Sequence, residues 1–203
     1  MEFKDSIGIF ENAFTEEECQ RIIDRHEWAI ENGKAHEGGF GNLKGIKKST
    51  DYDLVSGDGK EDYLLTNIVA GKFNFFNLKY LSDFCPGDEY DPSNVIMDKT
   101  YYPLFQIQKY RKNDGHFNSF HLENYGEEAK DRLFVFILYL NDVVEGGETE
   151  FYFKEEGSEK YFAVQPKAGT LIIHPASWPY VHRGCVPKSS DKYILTTWCC
   201  YGN

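Results

Sequence analysis

His121-Leu122-Glu123, set within a stretch that runs from Tyr110 to Trp198, is the sequence on which the fold turns. On an extended chain His121 and Glu123 point to the same face, so both can reach one metal ion. A further histidine, His182, lies in Tyr180-Val181-His182-Arg183-Gly184. Two neutral imidazoles and one carboxylate are the ligand set expected for a non-heme iron(II) that keeps three positions open. His182 must then come from a strand distant in sequence but adjacent in space. That requirement points to a rolled-up β architecture.

The texture around this stretch agrees. From Leu104 onward, short β segments alternate with turns: Leu104–Arg111, Phe134–Leu140, Glu148–Phe153, Tyr161–Gln165, Thr170–His174, Tyr180–Arg183 and Lys192–Cys200. Gly146-Gly147, Gly157-Ser158 and Lys167-Ala168-Gly169 punctuate the series, the glycines supplying unusual backbone angles. Two helices precede it. Thr15-Glu16-Glu17-Glu18 has capping-box spacing, Cys19, Ile22, Ile23 and His26 follow at helical spacing, and Gly33 offers a stop. An extended segment, Ile7 to Phe14, leads into this helix. A second helix spans Asp62 to Leu81, with Leu64, Leu65, Ile68, Val69, Phe73 and Phe76 as its buried stripe. Lys47 to Val55 is read as a strand, and His26 and His36 as surface or helix-flank histidines. The fold class expected is mainly β with flanking helices: a double-stranded β-helix, jelly-roll and cupin-like, with the N-terminal helices packed outside. One domain is expected over 1–203, with 1–100 as helical support and mobile loops and 101–203 as the jelly-roll core. Pro86-Gly87 and Asp91-Pro92-Ser93-Asn94 break the chain without marking a domain boundary.

Composition narrows the function. With 22 basic and 33 acidic residues the chain carries a net charge of −11. That leaves no wide basic groove for phosphates, so no nucleic-acid partner is expected. Five cysteines, an odd count without zinc-ribbon spacing, do not form a disulfide framework. No apolar run is long enough to span a bilayer, and Met1-Glu2-Phe3-Lys4-Asp5 lacks a signal pattern. A cytoplasmic, reducing setting is the plain reading.

The ordered series is more specific than any single element of it. Tyr110, Gly115, His121-Leu122-Glu123, Leu138-Tyr139-Leu140-Asn141-Asp142 and Glu145-Gly146-Gly147-Glu148-Thr149 come first. Pro166-Lys167-Ala168-Gly169, His182-Arg183-Gly184, and Lys192-Tyr193 with Thr196-Thr197-Trp198 follow. This series resembles the 2-oxoglutarate- and iron(II)-dependent oxygenases, specifically their prolyl-4-hydroxylase-like branch. The resemblance implies His121, Glu123 and His182 as metal ligands and catalytic centre. Glu123 departs from the family's commoner H-x-D. Its extra methylene moves the carboxylate outward, although it remains a hard oxygen ligand. Nearby Asp114, Glu127 and Glu128 lack the same-face spacing. His116 precedes His121 by an odd number of residues and falls on the other face, while His174, beside Pro175, reads as a rim or structural histidine.

A dicarboxylate cosubstrate needs a fixed cation for its distal carboxylate. Lys192 fills that role, whereas Lys188 sits in a turn. On an extended strand Lys192, Ile194, Thr196 and Trp198 share a face, placing a cation, a hydroxyl and an aromatic wall together. By resemblance Tyr139 adds a hydroxyl to the same carboxylate and Tyr110 lines the pocket; both also read as plain core aromatics. Arg183 and Trp178 are candidates to touch substrate. The loops around Gly38–Asn42 and Ser56–Glu61 read equally as gates at the mouth and as ordinary surface loops.

The implied activity consumes iron(II), 2-oxoglutarate and O2, with ascorbate as a possible accessory, and hydroxylates an unactivated C–H bond. A prolyl residue of a peptide or protein is the first substrate implied. Another side chain or a small molecule is the alternative within the enzyme class. A non-catalytic jelly-roll binding module with a vestigial metal site is the alternative outside it.

Overall fold

A computed structural model of the chain describes residues 2–39, 45–54, 59–84, 96–155 and 158–202. In chain order it contains β1 (Glu2–Lys4), β2 (Ile7–Phe10), α1 (Glu16–Glu31), β3 (His36–Glu37), β4 (Lys47–Lys48), β5 (Thr50–Asp53) and α2 (Lys60–Phe84). Then follow β6 (Thr100–Tyr101), β7 (Gln106–Tyr110), β8 (His116–His121), β9 (Arg132–Tyr139) and β10 (Thr149–Glu155). The last elements are β11 (Ser158–Val164), β12 (Leu171–Pro175), β13 (Val181–Gly184) and β14 (Lys192–Tyr201). Antiparallel pairing sorts the strands into two sheets. The larger runs β1-β2-β12-β9-β14-β7-β5-β3, with β6 also on β14, and the smaller runs β11-β10-β13-β8-β4. This is the double-stranded β-helix expected from the strand pattern, with the helices outside.

The period-2 alternation of β9 explains the layering. Phe134, Phe136 and Leu138 belong to one core, shared with Cys19 and Ile22 of α1 and Leu65, Val69 and Phe73 of α2. Val135, Ile137 and Tyr139 belong to the other, between the sheets, with Phe151, Val164, Ile172 and Ile194. A strand buried on both faces has no polar side, which is why it reads as a continuous apolar run. β14 splits the same way, with Leu195 and Cys199 toward the helices and Ile194 and Trp198 toward the barrel interior.

Helix α1 begins as its sequence requires. The Thr15 hydroxyl accepts from the Glu18 N–H at 3.2 Å, and Glu18 Oε2 accepts from the Thr15 N–H at 2.8 Å. Gly33, at φ +64°, follows the C-cap. Gly146 and Gly147 also have positive φ, and a Cβ on Gly146 would stand 2.3 Å from the Val186 carbonyl oxygen.

Several expectations need correction. Leu64 is exposed rather than buried, because the inward stripe of α2 runs through Asp62, Leu65, Val69, Phe73, Asn77 and Tyr80. The helix starts at Lys60, so Lys60 and Glu61 are not loop residues. Lys47–Val55 is not one strand. β4 pairs with β8 in the smaller sheet and β5 with β7 in the larger, and Val55 lies outside the described residues. His26 is not at the surface: it is fully buried, its Nε2 is 2.8 Å from the Thr50 carbonyl oxygen, and burial lowers its pKa. β8 was missing from the expected strand series. Of the proposed gating loops, 40–44 and 55–58 lie outside the described residues.

The charged residues Arg25 and Asp62 on the helices' inward faces are paired. Asp62 of α2 accepts from Arg25 Nε of α1 and, at 2.6 Å, from the Tyr52 hydroxyl of β5. Removing one partner of such a buried pair leaves an uncompensated charge, which costs about 3–5 kcal/mol. Asp62→Ala is expected to lower the free energy of unfolding by that amount, read as an earlier urea midpoint at unchanged m-value.

Candidate metal and cosubstrate site

Strand pairing assembles the site. β13 lies between β10 and β8, and His182 pairs directly with His121 and, on its other side, with Phe151. The two imidazole rings are 4.5 Å apart between centroids. Glu123 follows the end of β8, where its N–H donates to the Ala176 carbonyl at 3.1 Å. Its Oε1 is 3.3 Å from His121 Nε2 and 3.5 Å from His182 Nε2. One donor atom from each of the three residues lies within 4.8 Å of the others. Bonds of about 2.1 Å at right angles would put ligand atoms about 3 Å apart, close to the two distances from Glu123 to the histidines.

The second ring nitrogens fit the same purpose. His121 Nδ1 lies 2.9 Å from the Ser119 carbonyl oxygen and His182 Nδ1 lies 3.1 Å from that of Tyr180. A backbone carbonyl accepts from Nδ1–H, and that tautomer leaves the Nε2 lone pair for a metal. Phe117 stacks on the His121 ring at 3.8 Å and fixes its plane. Burial alone would raise the Glu123 pKa, but hydrogen bonding to His121 and His182 and their charge hold it well below the usual carboxylate range. The donor set therefore suits a divalent iron.

A cavity runs from this cluster into the barrel. Gln108, Tyr110, Thr149, Cys185, Lys192, Ile194, Thr196 and Trp198 line it, with Ile137 and Phe117 as apolar wall. Lys192 is 3% exposed, and its Nζ lies 5.7 Å from the Tyr110 ring and 5.3 Å from the Tyr139 ring. It has no carboxylate partner among the described residues. Burial pulls its pKa down to about 8, with the charges of Cys185 and Glu148 opposing. Lys188, the other cation considered, is exposed.

The remaining sequence candidates are placed as follows. Tyr110 lines the cavity and donates to Gln108 Oε1 at 2.6 Å, and burial pushes its pKa well above 10. Tyr139 is fully buried behind the wall. Its hydroxyl is 2.7 Å from Thr149 Oγ1 and 3.1 Å from the Val164 carbonyl oxygen. Thr149, which does line the cavity, thus stands between Tyr139 and the open space. Thr196 donates to the Phe136 carbonyl at 2.9 Å. Trp198 donates from Nε1 to Glu123 Oε2 at 3.0 Å. Arg183 pairs with Glu150 at 2.6 Å and lies over Phe120, while Trp178 is 76% exposed.

His174 is not at the rim. It is fully buried 4.7 Å from the His182 ring, with burial and the His182 charge holding its pKa well below 6.5. Asp114, Glu127 and Glu128 stay outside the cluster. Asp114 pairs with Lys48, Glu127 with Lys130, and Glu128 is exposed.

Arg132 escaped the sequence reading. Counting alternation back from Phe134 and Phe136 turns it toward the helices. The pairing register shifts between Cys199 and Cys200, with Cys200 opposite Arg132, and such a bulge re-aims a side chain. The Arg132 guanidinium lies 3.7 Å over the Trp198 ring and donates to Glu123. No helix among the described residues is long and apolar enough to cross a membrane.

Comparison with known proteins agrees with the site. The chain is 26% identical over 214 aligned positions to probable prolyl 4-hydroxylase 9 of Arabidopsis thaliana, covering 93% of this chain and 66% of that protein. Prolyl 4-hydroxylase 13 of the same plant is 31% identical over 119 positions, covering 49% of this chain and 43% of its own length. The chain thus spans about two thirds of one curated relative and under half of the other. Its fold is similar, at a TM-score of 0.71 and 14% identity, to a prolyl hydroxylase of Trichoplax adhaerens solved with a hypoxia inducible factor oxygen degradation domain peptide fragment. That similarity covers 98% of this chain and 84% of the other. Residues 105–200, the span that carries the cluster and the cavity, match the 2OG-Fe(II) oxygenase superfamily. Over those residues the chain is similar in sequence to that superfamily, and in fold it is similar to prolyl hydroxylases.

Proposed function

We infer that this chain is an iron(II)- and 2-oxoglutarate-dependent dioxygenase that hydroxylates a prolyl residue of a peptide or protein, and that its 203 residues work as one oxygenase domain. Lys192 carries the reading. A buried lysine with no ion-pair partner among the described residues, in the same cavity as a His/Glu/His cluster, is costly unless a ligand supplies an anion. A dicarboxylate whose other end reaches the metal supplies it.

In this reading His121, Glu123 and His182 hold iron(II) through Nε2, a carboxylate oxygen and Nε2. Iron bound there supplies the oxygen activation that couples oxidative decarboxylation of 2-oxoglutarate, to succinate and carbon dioxide, with hydroxylation of a C–H bond. The chain's own part is positional. Lys192 anchors the distal carboxylate, and Thr149, whose oxygen accepts from Tyr139 behind it, keeps its own hydroxyl proton to donate, while Tyr110 and Thr196, which donate to Gln108 and Phe136, form the wall beside it. Ile137, Ile194 and Phe117 keep water from the reacting centre. Outside the metal cluster, Phe120, Leu122, Tyr125 and Val181 form an apolar mouth. An uncharged proline ring suits that surface, and the prolyl hydroxylase relatives support the same substrate. The four described cysteines are free, in keeping with a reducing, cytoplasmic setting.

The test is succinate formation by anaerobically purified protein given iron(II), ascorbate and 2-oxoglutarate, then oxygen and a panel of proline-containing peptides. Succinate matched by a 16 Da gain on proline is the expected result. Turnover with mass gain only on another residue would replace the substrate. Failure to bind either metal or 2-oxoglutarate would end the oxygenase reading.

A further inference from the structure

Glu123 is gripped from the side away from the imidazoles. Its Oε2 accepts from Trp198 Nε1 at 3.0 Å and from Arg132 Nη1 at 3.2 Å, and the same Nη1 donates to the Glu123 backbone oxygen at 3.0 Å. Oε1 faces the two Nε2 atoms. Arg132 is itself held flat on the Trp198 indole, 3.7 Å from the ring centroid. One carboxylate oxygen is thereby spent on protein donors, and the other is left for an ion.

We propose that Arg132 and Trp198 form a clamp that positions the longer side chain of Glu123 as a one-oxygen metal ligand, so that this site is built for glutamate rather than merely tolerant of it. The inference rests on the oxygenase reading and deepens it. A glutamate has one more rotatable bond than aspartate, so it needs an outside restraint to present a single oxygen in a fixed direction. Two donors converging on Oε2 provide that restraint. An aspartate at this position would draw the carboxylate back by about 1.5 Å, the length of one C–C bond, away from both donors. Arg132 and Trp198 are positioning residues here, since they act through Glu123.

The test uses substitutions that conserve formal charge, because removing the Arg132 cation would by itself alter attraction for a metal. Glu123→Asp, Arg132→Lys and Trp198→Phe are compared with the unchanged protein and with His182→Ala by anaerobic titration with manganese(II). Circular dichroism confirms folding, and the visible spectrum of the cobalt(II)-loaded proteins reports coordination. Partners of metal ligands are worth about 10- to 100-fold in affinity. Each of the three substitutions is expected to weaken manganese binding about tenfold or more and to change the cobalt spectrum. Arg132→Lys is expected to cost little further once Glu123→Asp is present, because the two act as one unit.

Glu123→Asp binding manganese as tightly as the unchanged protein, or more tightly, would overturn the clamp. So would full additivity of Arg132→Lys with Glu123→Asp. If the unchanged protein binds and His182→Ala does not, the oxygenase reading stands while these comparisons judge the clamp. If the unchanged protein binds no metal, both fall together.

Discussion

Replacing His182 by alanine is expected to remove divalent-metal binding and, with it, all succinate formation. The side chain is 4% exposed, sits on the central strand of the smaller sheet, and directs Nε2 at the Glu123 carboxylate. Loss of one of three ligands leaves a histidine and a carboxylate, a pair common on protein surfaces without an ion. The fold should survive, because the substitution opens space toward an existing cavity and breaks no strand pairing. The clearest readout is thermal. A ligand that binds only the folded state at about a hundred times its Kd adds about 2.7 kcal/mol of stability. For a chain of this size that raises Tm by several degrees. The unchanged protein should show this rise with manganese(II), and His182→Ala should show none. An undiminished rise in the variant would mean that the ion binds elsewhere.

Lys192→Met should have two opposite effects in one protein. In the cosubstrate-free state the lysine is a buried charge with no ion-pair partner among the described residues, and its displacement from 10.5 to about 8 corresponds to ~3 kcal/mol favouring the neutral form. A methionine of similar shape carries no such cost, so Tm of the cosubstrate-free variant should rise by a few degrees. At the same time the variant lacks the cation for the distal carboxylate. Charge-assisted hydrogen bonds of this kind contribute about 1.5–3 kcal/mol, so 2-oxoglutarate affinity should fall about a hundredfold while metal affinity holds.

The unchanged protein should reveal the same lysine through pH. Its charged form dominates below about 8 and is lost above it, so 2-oxoglutarate binding weakens as pH rises through that value. In the metal-loaded protein under nitrogen, affinity at pH 9 should be about tenfold below its plateau near neutrality, with proton uptake on binding. A flat profile, or a Lys192→Met protein that still binds 2-oxoglutarate tightly, would place the cosubstrate's anchor on another residue.

Much of this molecule was legible in its amino-acid order, for local reasons. The capping box at Thr15 and Glu18 satisfies its own N–H groups within one turn, so the start of α1 could be read directly. The shared face of Lys192, Ile194, Thr196 and Trp198 follows from the period of a strand. His121 and Glu123 also converge as that spacing suggested, although Glu123 stands past the end of β8 rather than on it.

Other features belong to the tertiary structure alone. Nothing local distinguishes Leu64 from Leu65, because which flank of α2 meets the sheet depends on where the helix docks. His26 reads as a surface or helix-flank histidine and His174 as a rim or structural one, and only packing shows both fully enclosed. Arg132 meets Glu123 because an extra residue in its own strand, Leu133, shifts the register against β14 and re-aims it, and a bulge leaves no mark in a hydrophobic pattern. By itself the sequence determined the residue types of the metal cluster, the face of β14 that lines the cavity, and the alternation that makes the β-helix. Only the tertiary structure decided that His182 lies opposite His121, that Lys192 is buried, and that Glu123 is held by Arg132 and Trp198. Strand period is a property of neighbours along the chain, whereas pairing register, burial and the meeting of distant side chains arise only when the sheets close.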